Sequence, residues 1–153
     1  MHLAGVVLMA LGAMKPALAA ASDLDLVPGQ ERQVVYYSIW GDCIGNPRTP
    51  LCTLETLFSC MVRSDRGMCA TVGVADENPC RPAHITGVRY IVDRVTEAET
   101  IARVTFRAQV CRGDMPCGPP SAVEAEDLDR VGDRWRFRSN PQVLERLCRP
   151  IRP

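Results

Sequence analysis

The chain has 153 residues, enough for one domain with a single hydrophobic core, and its 18 Lys and Arg residues balance 18 Asp and Glu residues. This balance argues against a nucleic-acid-binding surface, which needs a concentrated basic excess. Aromatic residues make up only 5% of the chain, so a stacking platform for bases or sugars is not expected either.

The first residues have the features of an export signal. Leu3 to Met14 is an apolar run without charge and is too short to span a bilayer stably. Small residues from Ala17 to Ala21 then offer cleavage sites for a signal peptidase. We therefore expect residues 1–21 to be a cleaved signal peptide and residues 22–153 to form one periplasmic or secreted domain, with no stable membrane span after cleavage.

An even number of cysteines follows this segment, and behind an export signal such a set predicts a disulfide framework. No C-x-x-C pair occurs, and His84 is the one histidine after residue 21. We therefore expect no metal site and no cofactor. The eight disulfide candidates are Cys43, Cys52, Cys60, Cys69, Cys80, Cys111, Cys117 and Cys148.

Sequence spacing favours some pairings over others. Cys111 and Cys117 enclose five residues at the tip of one predicted hairpin, and Cys43 and Cys52 bracket a Gly- and Pro-containing loop. The remaining four cysteines allow three pairings, and we favour those that join Cys60 to Cys69 or Cys80. Each bridge should contribute about 2–4 kcal/mol by restricting the unfolded chain.

The N-terminal half of residues 22–153 predicts helices. Residues 30–40 are β-branched and aromatic, which suits a strand, but a helix starting near Pro28 is also compatible with them. Thr49 is a good N-cap and Pro50 a good first helical residue. The helix that follows, which should end at residues 64–67 before a short second helix over 68–74, has one apolar face made of Leu51, Leu54, Leu57, Phe58, Met61 and Val62.

The C-terminal half predicts an antiparallel meander. Residues 86–97 form a strand with Val88, Tyr90 and Val92 on one face, opposite Arg89, Asp93 and Val95. Residues 121–131 return after the hairpin tip, a Gly-Asp turn follows, and residues 134–138 form the last strand before a final helix that starts at Asn140-Pro141. The strand from Thr100 alternates strictly, with Val104, Phe106, Ala108 and Val110 facing the core and Arg103, Thr105, Arg107 and Gln109 facing water.

These elements predict an α+β fold, in which a curved antiparallel sheet of 3–5 strands packs on N-terminal helices, with a short C-terminal helix and disulfide cross-links. The order resembles the nuclear-transport-factor-2-like superfamily, a cone-shaped fold shared with ketosteroid isomerases. The similar segments are Leu51 to Phe58, Arg63-Ser64-Asp65 and Asp127 to Phe137. The cysteines and the helix after Phe137 depart from the family pattern. No catalytic motif of the family is present, so the resemblance implies a cone but no catalytic residue.

Two aspartates in the return strand could be pocket acids. If Arg107 faces Glu124 or Glu126 across the first hairpin, Asp127 and Asp129 lie on the apolar face, where burial would raise the pKa of each carboxyl.

The second hairpin predicts the opposite placement. With the Gly-Asp step as a two-residue turn, Asp129 faces Arg136 and Asp127 faces Arg138. A β-bulge within residues 125–128 would reconcile the two registers. We favour exposed cross-strand ion pairs, each contributing about a few tenths of a kcal/mol.

The catalytic candidates are His84, Asp93 and Asp127, and none has an accompanying nucleophile or oxyanion motif. The sequence therefore favours a non-catalytic exported domain. We expect it to bind a small apolar ligand or a protein partner in or beside the cone formed by the sheet and the helix over residues 51–62. The alternative is a small isomerase- or hydrolase-like enzyme that uses a cone-shaped pocket.

A second alternative is a structural or adhesion role. The tripeptide Arg112-Gly113-Asp114 lies inside the Cys111–Cys117 loop and resembles the adhesion motif that integrin ligands display on constrained loops. Gly-Asp is also ordinary turn chemistry at a hairpin tip, which we favour.

Overall fold

A computed structural model describes residues 28–38, 43–75, 85–114 and 116–148. The predicted signal peptide, His84 and Cys80 lie outside the described residues. The helices are α1 (Pro50–Arg63), α2 (Arg66–Thr71) and α3 (Gln142–Cys148). The strands are β1 (Glu31–Val35), β2 (Ile85–Glu97), β3 (Ile101–Arg112), β4 (Val123–Val131) and β5 (Arg134–Phe137). The predicted α+β class is confirmed, with α1 and α2 in the N-terminal part of the domain, after strand β1, and a short helix last.

One antiparallel sheet contains all five strands in the order β1-β2-β3-β4-β5, and it curves into a half-barrel. The segment that the sequence left undecided, residues 30–40, contains the edge strand β1, with Val34 opposite Val88. Val34 is buried, because it extends the apolar row of β2 onto the concave face. The helix interpretation of this segment is therefore wrong for residues 31–35.

Helix α1 lies on the concave side and has the predicted start. The Thr49 Oγ1 accepts a hydrogen bond from the Cys52 backbone N–H at 3.1 Å, and Pro50 follows at the first helical position. The helix ends at Ser64, whose φ of 55° places it in the left-handed region.

The predicted apolar face of α1 is buried, and the polar side of the helix is buried too, because every residue from Pro50 to Val62 is buried. The half-barrel covers one side of the helix. The loop that carries Cys43 covers the polar side, where Thr56 Oγ1 accepts from the Gly45 N–H at 2.9 Å and Thr53 Oγ1 donates to the Trp135 carbonyl at 3.4 Å. The polar residues of α1 thus serve as partners for a covering loop and a strand rather than for water.

The edge of the sheet at β5 is covered by main-chain hydrogen bonds. The Trp135 N–H donates to the Pro47 carbonyl at 2.7 Å, and the Phe137 N–H donates to the Val72 carbonyl at 2.9 Å. Gly73, with φ of +85°, allows this approach, because a Cβ there would lie 3.1 Å from the Phe137 carbonyl oxygen. The segments before α1 and after α2 therefore protect this edge from pairing with another chain.

The alternation of core-facing and outward side chains along β2 is interrupted near Asp93. Val88, Tyr90 and Val92 are buried as predicted, but the pairing with β3 shifts between Val92 and Arg94. The inserted residue turns Val95 towards the core, opposite Val104, so its predicted outward position is wrong.

Strand β4 is regular, and the bulge predicted within residues 125–128 does not form. The register predicted for the β4–β5 hairpin is confirmed, because Asp129 lies opposite Arg136. The assumed first-hairpin register is wrong, because Arg107 faces Val123 rather than a glutamate. The two hairpins therefore agree without an insertion, and the inward positions on β4 are 124, 126 and 128.

Three disulfides join described cysteines. Cys43 bonds Cys52, Cys60 bonds Cys69 and Cys111 bonds Cys117, with Cα–Cα distances of 4.6, 5.3 and 4.7 Å. Cys148 is also disulfide-bonded. The first and third bridges match the pairings favoured from spacing, and the second is one of the two favoured for Cys60. The Cys60–Cys69 bridge fastens α2 to α1.

Candidate binding surface

The concave side of the half-barrel is filled by side chains. Phe58 of α1 packs against Tyr90 and Phe106, with ring centroids 5.0 and 5.8 Å apart. All three rings are fully buried, together with Leu54 and Leu57 of the same helix. The space that a cone-shaped fold offers to a ligand is here occupied by α1.

A buried polar cluster links β1 to this helix. The Tyr90 hydroxyl donates a hydrogen bond to Glu55 Oε1, and Arg32 Nε lies 3.0 Å from the same oxygen. Burial and the Glu55 carboxylate raise the pKa of Tyr90, which therefore keeps its proton and remains a donor. Tyr90, Glu55 and Arg32 are thus partners of one another, and their contacts hold β1 and β2 against α1.

Glu126 is the second buried carboxylate, with 6% of its surface exposed. Its Oε1 accepts from the Val143 backbone N–H at 3.0 Å, at the first turn of α3. Burial raises the pKa of Glu126, and the Val143 hydrogen bond opposes that rise. The carboxylate thus accepts a hydrogen bond from a backbone N–H at the N-terminus of α3.

The other end of α3 is held in the same way. Arg112 Nη2 donates to the Leu147 carbonyl at 2.7 Å, in the last turn of the helix. Arg146 forms an ion pair with Glu124 and donates to the Ala108 carbonyl at 3.0 Å. An acidic residue at its start and a guanidinium at its end thus match the dipole of α3 and fasten it over β3 and β4.

Two candidate acids lie in partly exposed ion pairs. Asp93 accepts two hydrogen bonds from Arg107, at 2.7 and 3.1 Å, and this contact raises the pKa of Arg107. Asp127 Oδ1 lies 3.6 Å from Arg103 Nη1, with both side chains half exposed. The structure brings neither aspartate to a buried pocket, and it places them on different strand pairs, so no pair of acids is assembled from them.

Asp129 bonds Arg138 rather than the directly opposite Arg136. Its carboxylate accepts from Arg138 Nε at 3.0 Å and from Nη2 at 2.6 Å. The Arg138 guanidinium lowers the pKa of Asp129, and Asp129 raises that of Arg138. The interpretation of Asp127 and Asp129 as exposed ion-paired residues fits these positions, although the expected Asp127–Arg138 pair is replaced by Asp127–Arg103.

The adhesion-like tripeptide does not present its arginine. Arg112 is half-buried and its guanidinium is held by α3, whereas Gly113 and Asp114 are exposed. Gly113 has φ of 58°, the left-handed turn conformation that glycine adopts readily. The tripeptide therefore forms part of a hairpin turn in which Arg112 is hydrogen-bonded to α3.

A cleft of ≈ 430 Å³ lies at the end of the β2–β3 hairpin, on the side of the sheet away from α1. Thr96, Arg103 and Asp127 form a row of opposite residues across β2, β3 and β4, and all three line the cleft. Arg138 continues the row, because its N–H donates to the Asp127 carbonyl at 3.0 Å. Ile101 lines the hairpin side of the cleft and is 49% exposed.

The surface around this cleft combines apolar, basic and acidic side chains, the last including Glu97 and Asp127. Val131, 54% exposed, is a diagonal neighbour of Ile101, which lies opposite Asp129. Arg136 also lies opposite Asp129, on the same face as the cleft. We call the set Ile101, Val131, Arg103, Arg136 and Arg138 the outer patch.

A second exposed apolar feature follows β1. Tyr36 and Tyr37 are exposed, with ring centroids 5.4 Å apart. Their turn is closed by Ser38, whose Oγ accepts from the Val35 N–H at 2.8 Å and whose N–H donates to the Val35 carbonyl at 2.9 Å. The backbone N–H and carbonyl of Val35, the last residue of β1, are therefore both hydrogen-bonded to Ser38.

The two buried glutamates and the outer patch were not predicted from the sequence. Glu126 could have been found, because the Gly-Asp turn places Leu128 inward and alternation then places Glu126 inward too. Glu55 carries no such signal, since it lies on the polar side of an amphipathic helix.

Within the described ranges, no helix is long and apolar enough to cross a membrane, and no three His, Cys, Asp or Glu side chains are grouped to hold a metal ion. Comparisons with protein-family models, curated proteins and solved structures find no match.

Proposed function

We propose that this chain is an exported, non-catalytic domain that binds a partner protein through the outer patch. The observation that supports this proposal is the filling of the half-barrel by α1, which leaves the cleft beside Ile101 as a concave surface open to solvent. Three disulfides support export, because such bonds persist in oxidising compartments.

The absence of an enzymatic role is part of the proposal. Glu55 and Glu126 are engaged in the interior, and Asp93 and Asp127 are paired with arginines at the surface. A general acid or base has to reach a bound substrate. Of these four carboxylates, only Asp127 lines the open cleft, where it is paired with Arg103. Turnover of an ester, sugar or steroid substrate that is lost on changing His84 or Asp127 would overturn this part.

A relationship to the nuclear-transport-factor-2-like superfamily stays part of the proposal. The helices α1 and α2 before a long antiparallel meander support it. Strand β1 before the helices, helix α3 after the last strand and the disulfides are features of this chain that differ from the resemblance. If the relationship holds, the binding surface has moved from inside the cone to the opposite side of the sheet.

The test is capture of a partner from the compartment to which the protein is exported. The oxidised domain, immobilised, is compared with Ile101→Ser and with Val123→Ser as the matched control, since Val123 is 65% exposed on the same face at the far end of β4. We expect a protein that the wild type and Val123→Ser retain and that Ile101→Ser loses. Equal retention by all three forms contradicts the proposal.

A variant in the second exposed feature locates the surface independently. Changing Tyr37 to Ser should leave capture unchanged. Loss of capture with Tyr37→Ser and not with Ile101→Ser would move the binding surface to the turn after β1 and overturn the assignment to the outer patch.

A small apolar ligand in the same cleft is the second candidate, favoured by its volume, which lies in the range of small-molecule sites. Its test is a thermal-shift series with apolar small molecules on wild type and Ile101→Ser. A stabilisation that depends on Ile101, together with no captured protein, would favour this candidate.

A further inference from the structure

We infer that the Cys111–Cys117 bridge is a redox-sensitive switch: a dithiol opens it before the other bridges, and its opening loosens α3 through Arg112. The inference goes beyond the proposed function, because it concerns the hairpin tip and α3 rather than the outer patch. Its basis is the exposure of Cys117, the polar groups beside the bridge and the hydrogen bond that joins Arg112 to α3.

The tip bridge is the most accessible of the three disulfides between described cysteines. Cys117 is half-buried, whereas Cys111 is 5% exposed. The other two bridges are formed entirely by buried cysteines, which are Cys43, Cys52, Cys60 and Cys69. Thiol–disulfide exchange needs a thiolate to reach one sulfur of the bridge, so a reductant from solvent meets Cys117 first.

Polar groups beside the bridge favour the thiolate that such an attack releases. Gln33 Nε2 donates to Cys111 Sγ at 3.9 Å, and Arg89 Nη1 donates to the Cys117 carbonyl at 3.0 Å. Glu31 also binds Arg89, which reduces the field of this guanidinium without removing it. An amide donor and a nearby guanidinium stabilise a thiolate, and they therefore make the sulfur of Cys111 a better leaving group.

The reaction at the bridge is thiol–disulfide exchange with a dithiol as the reductant. A thiolate of the dithiol attacks Cys117 Sγ, a mixed disulfide forms, and the electron pair of the broken S–S bond leaves on Cys111 Sγ. The second thiolate of the dithiol then attacks the reductant's sulfur in the mixed disulfide and releases Cys117 as a thiolate. Two electrons thus pass from the dithiol, which ends as a cyclic disulfide, to the bridge. The two protons that the dithiol gives up protonate the two cysteines.

The residue that follows Cys111 joins the bridge to α3. Arg112 is the last residue of β3, and its Nη2 donates to the Leu147 carbonyl at 2.7 Å in the last turn of α3. Pairing of β3 with β4 ends at Arg107, opposite Val123, so the tip is paired with β2 on one side only. The bridge restrains the side that β4 leaves unpaired. Opening it therefore frees the end of β3, and Arg112 moves with that end.

The first measurement identifies the bridge that opens. The oxidised protein is incubated with increasing concentrations of dithiothreitol, and free thiols are alkylated. Mass spectrometry of proteolytic peptides then follows each cysteine separately, including Cys148, which is also half-buried and disulfide-bonded. We expect alkylation of Cys111 and Cys117 at the lowest concentration that labels any cysteine. Alkylation of another bridge first, or of all bridges together, overturns the inference.

The second measurement tests the coupling to α3. Cys111→Ser with Cys117→Ser removes the bridge without a reductant and leaves the bond of Cys148 in place. We expect the amides of α3 to exchange with deuterium about three- to tenfold faster than in the wild type. Cys43→Ser with Cys52→Ser removes a bridge at the start of α1 and is the matched control. This control should leave exchange of the α3 amides unchanged.

Adding Arg112→Ala to the tip variant determines whether Arg112 carries the effect. The contact with Leu147 is already lost in Arg112→Ala, so removing the bridge in that background should not accelerate α3 exchange further. Equal acceleration in both backgrounds, or faster α3 exchange in the control variant, overturns the coupling through Arg112. Either result leaves the proposed function in place, because capture of a partner through Ile101 does not involve the hairpin tip.

Discussion

The Tyr90 hydroxyl donates a hydrogen bond to the Glu55 carboxylate inside the protein, between the central part of β2 and the first half of α1. Arg32 of the edge strand approaches the same oxygen, 3.0 Å away. One carboxylate therefore joins the helix, the sheet and its edge. It is also the reason that a charged residue can lie in a helix that is buried on every side.

Removing one partner of this cluster should destabilise the protein in a graded way. We expect Tyr90→Phe to lower the free energy of unfolding by about 1–3 kcal/mol, because Glu55 keeps Arg32 as a partner. Glu55→Ala should cost more, about 3–5 kcal/mol, since it leaves a buried hydroxyl and a half-buried guanidinium without their acceptor. Urea denaturation measures both values. Tyr36→Phe, which removes an exposed hydroxyl, is the control and should change little. A larger loss for Tyr90→Phe than for Glu55→Ala would contradict this account.

Glu126 should make stability depend on pH with a defined sign. Burial raises its folded-state pKa above the unfolded value of about 4.3, so the folded protein holds the proton more tightly. The stability that this group contributes is fully present below the unfolded pKa and is lost as the pH rises through the folded pKa. Glu126→Gln removes the titration and keeps an oxygen that can accept from Val143.

The measurement is the free energy of unfolding of wild type and Glu126→Gln between about pH 4 and about pH 7. The wild type should lose stability relative to the variant as the pH rises. Glu99→Gln, in the exposed β2–β3 turn, is the matched control for removing a glutamate. A wild type that gains stability relative to Glu126→Gln over this interval would contradict the assignment of burial as the main cause.

The disulfides should differ in their effect on stability. Cys60 and Cys69 are buried and join α2 to α1, so replacing both by Ala removes a cross-link and leaves a gap in the core. We expect a loss of about 3–5 kcal/mol for this pair and about 2–3 kcal/mol for Cys111 with Cys117, which join residues near one hairpin tip. Urea denaturation of the two double variants compares them directly. A tip variant that is less stable than the core variant would refute this order.

Arg112 should stabilise α3 locally through its hydrogen bond to the Leu147 carbonyl and should have no role in adhesion. Arg112→Ala removes the hydrogen bond to the Leu147 carbonyl, and we expect the amides of α3 to exchange with deuterium about tenfold faster, the effect of losing roughly 1.4 kcal/mol locally. Asp114→Ala, at the exposed hairpin tip, should leave this exchange unchanged. If Asp114→Ala abolishes binding to cells or to the captured partner, the adhesion alternative is correct and the outer patch is not the binding surface.

Local sequence signals were sufficient to place α1 and β3. Thr49-Pro50 has the chemistry of a helix start, and the strict alternation from Val104 to Val110 has the period of a half-buried strand, so both elements could be placed from residues close together in the chain. Spacing also favoured Cys43–Cys52 and Cys111–Cys117, which join residues separated by 9 and 6 positions, and it left Cys60 open between Cys69 and Cys80.

The sequence by itself thus determined the α+β class, the helix that starts at Thr49-Pro50 and the face that β3 turns to the core, since these depend on contacts within one element or one turn. The tertiary structure alone decided that α1 is buried on all sides, that Glu55 meets Tyr90, and that Arg103 and Arg136 border one patch beside Ile101. The physical reason is that strand register and helix burial depend on distant segments. A single bulge at Asp93, or one assumed opposite pair at Arg107, reverses the face of every residue that follows.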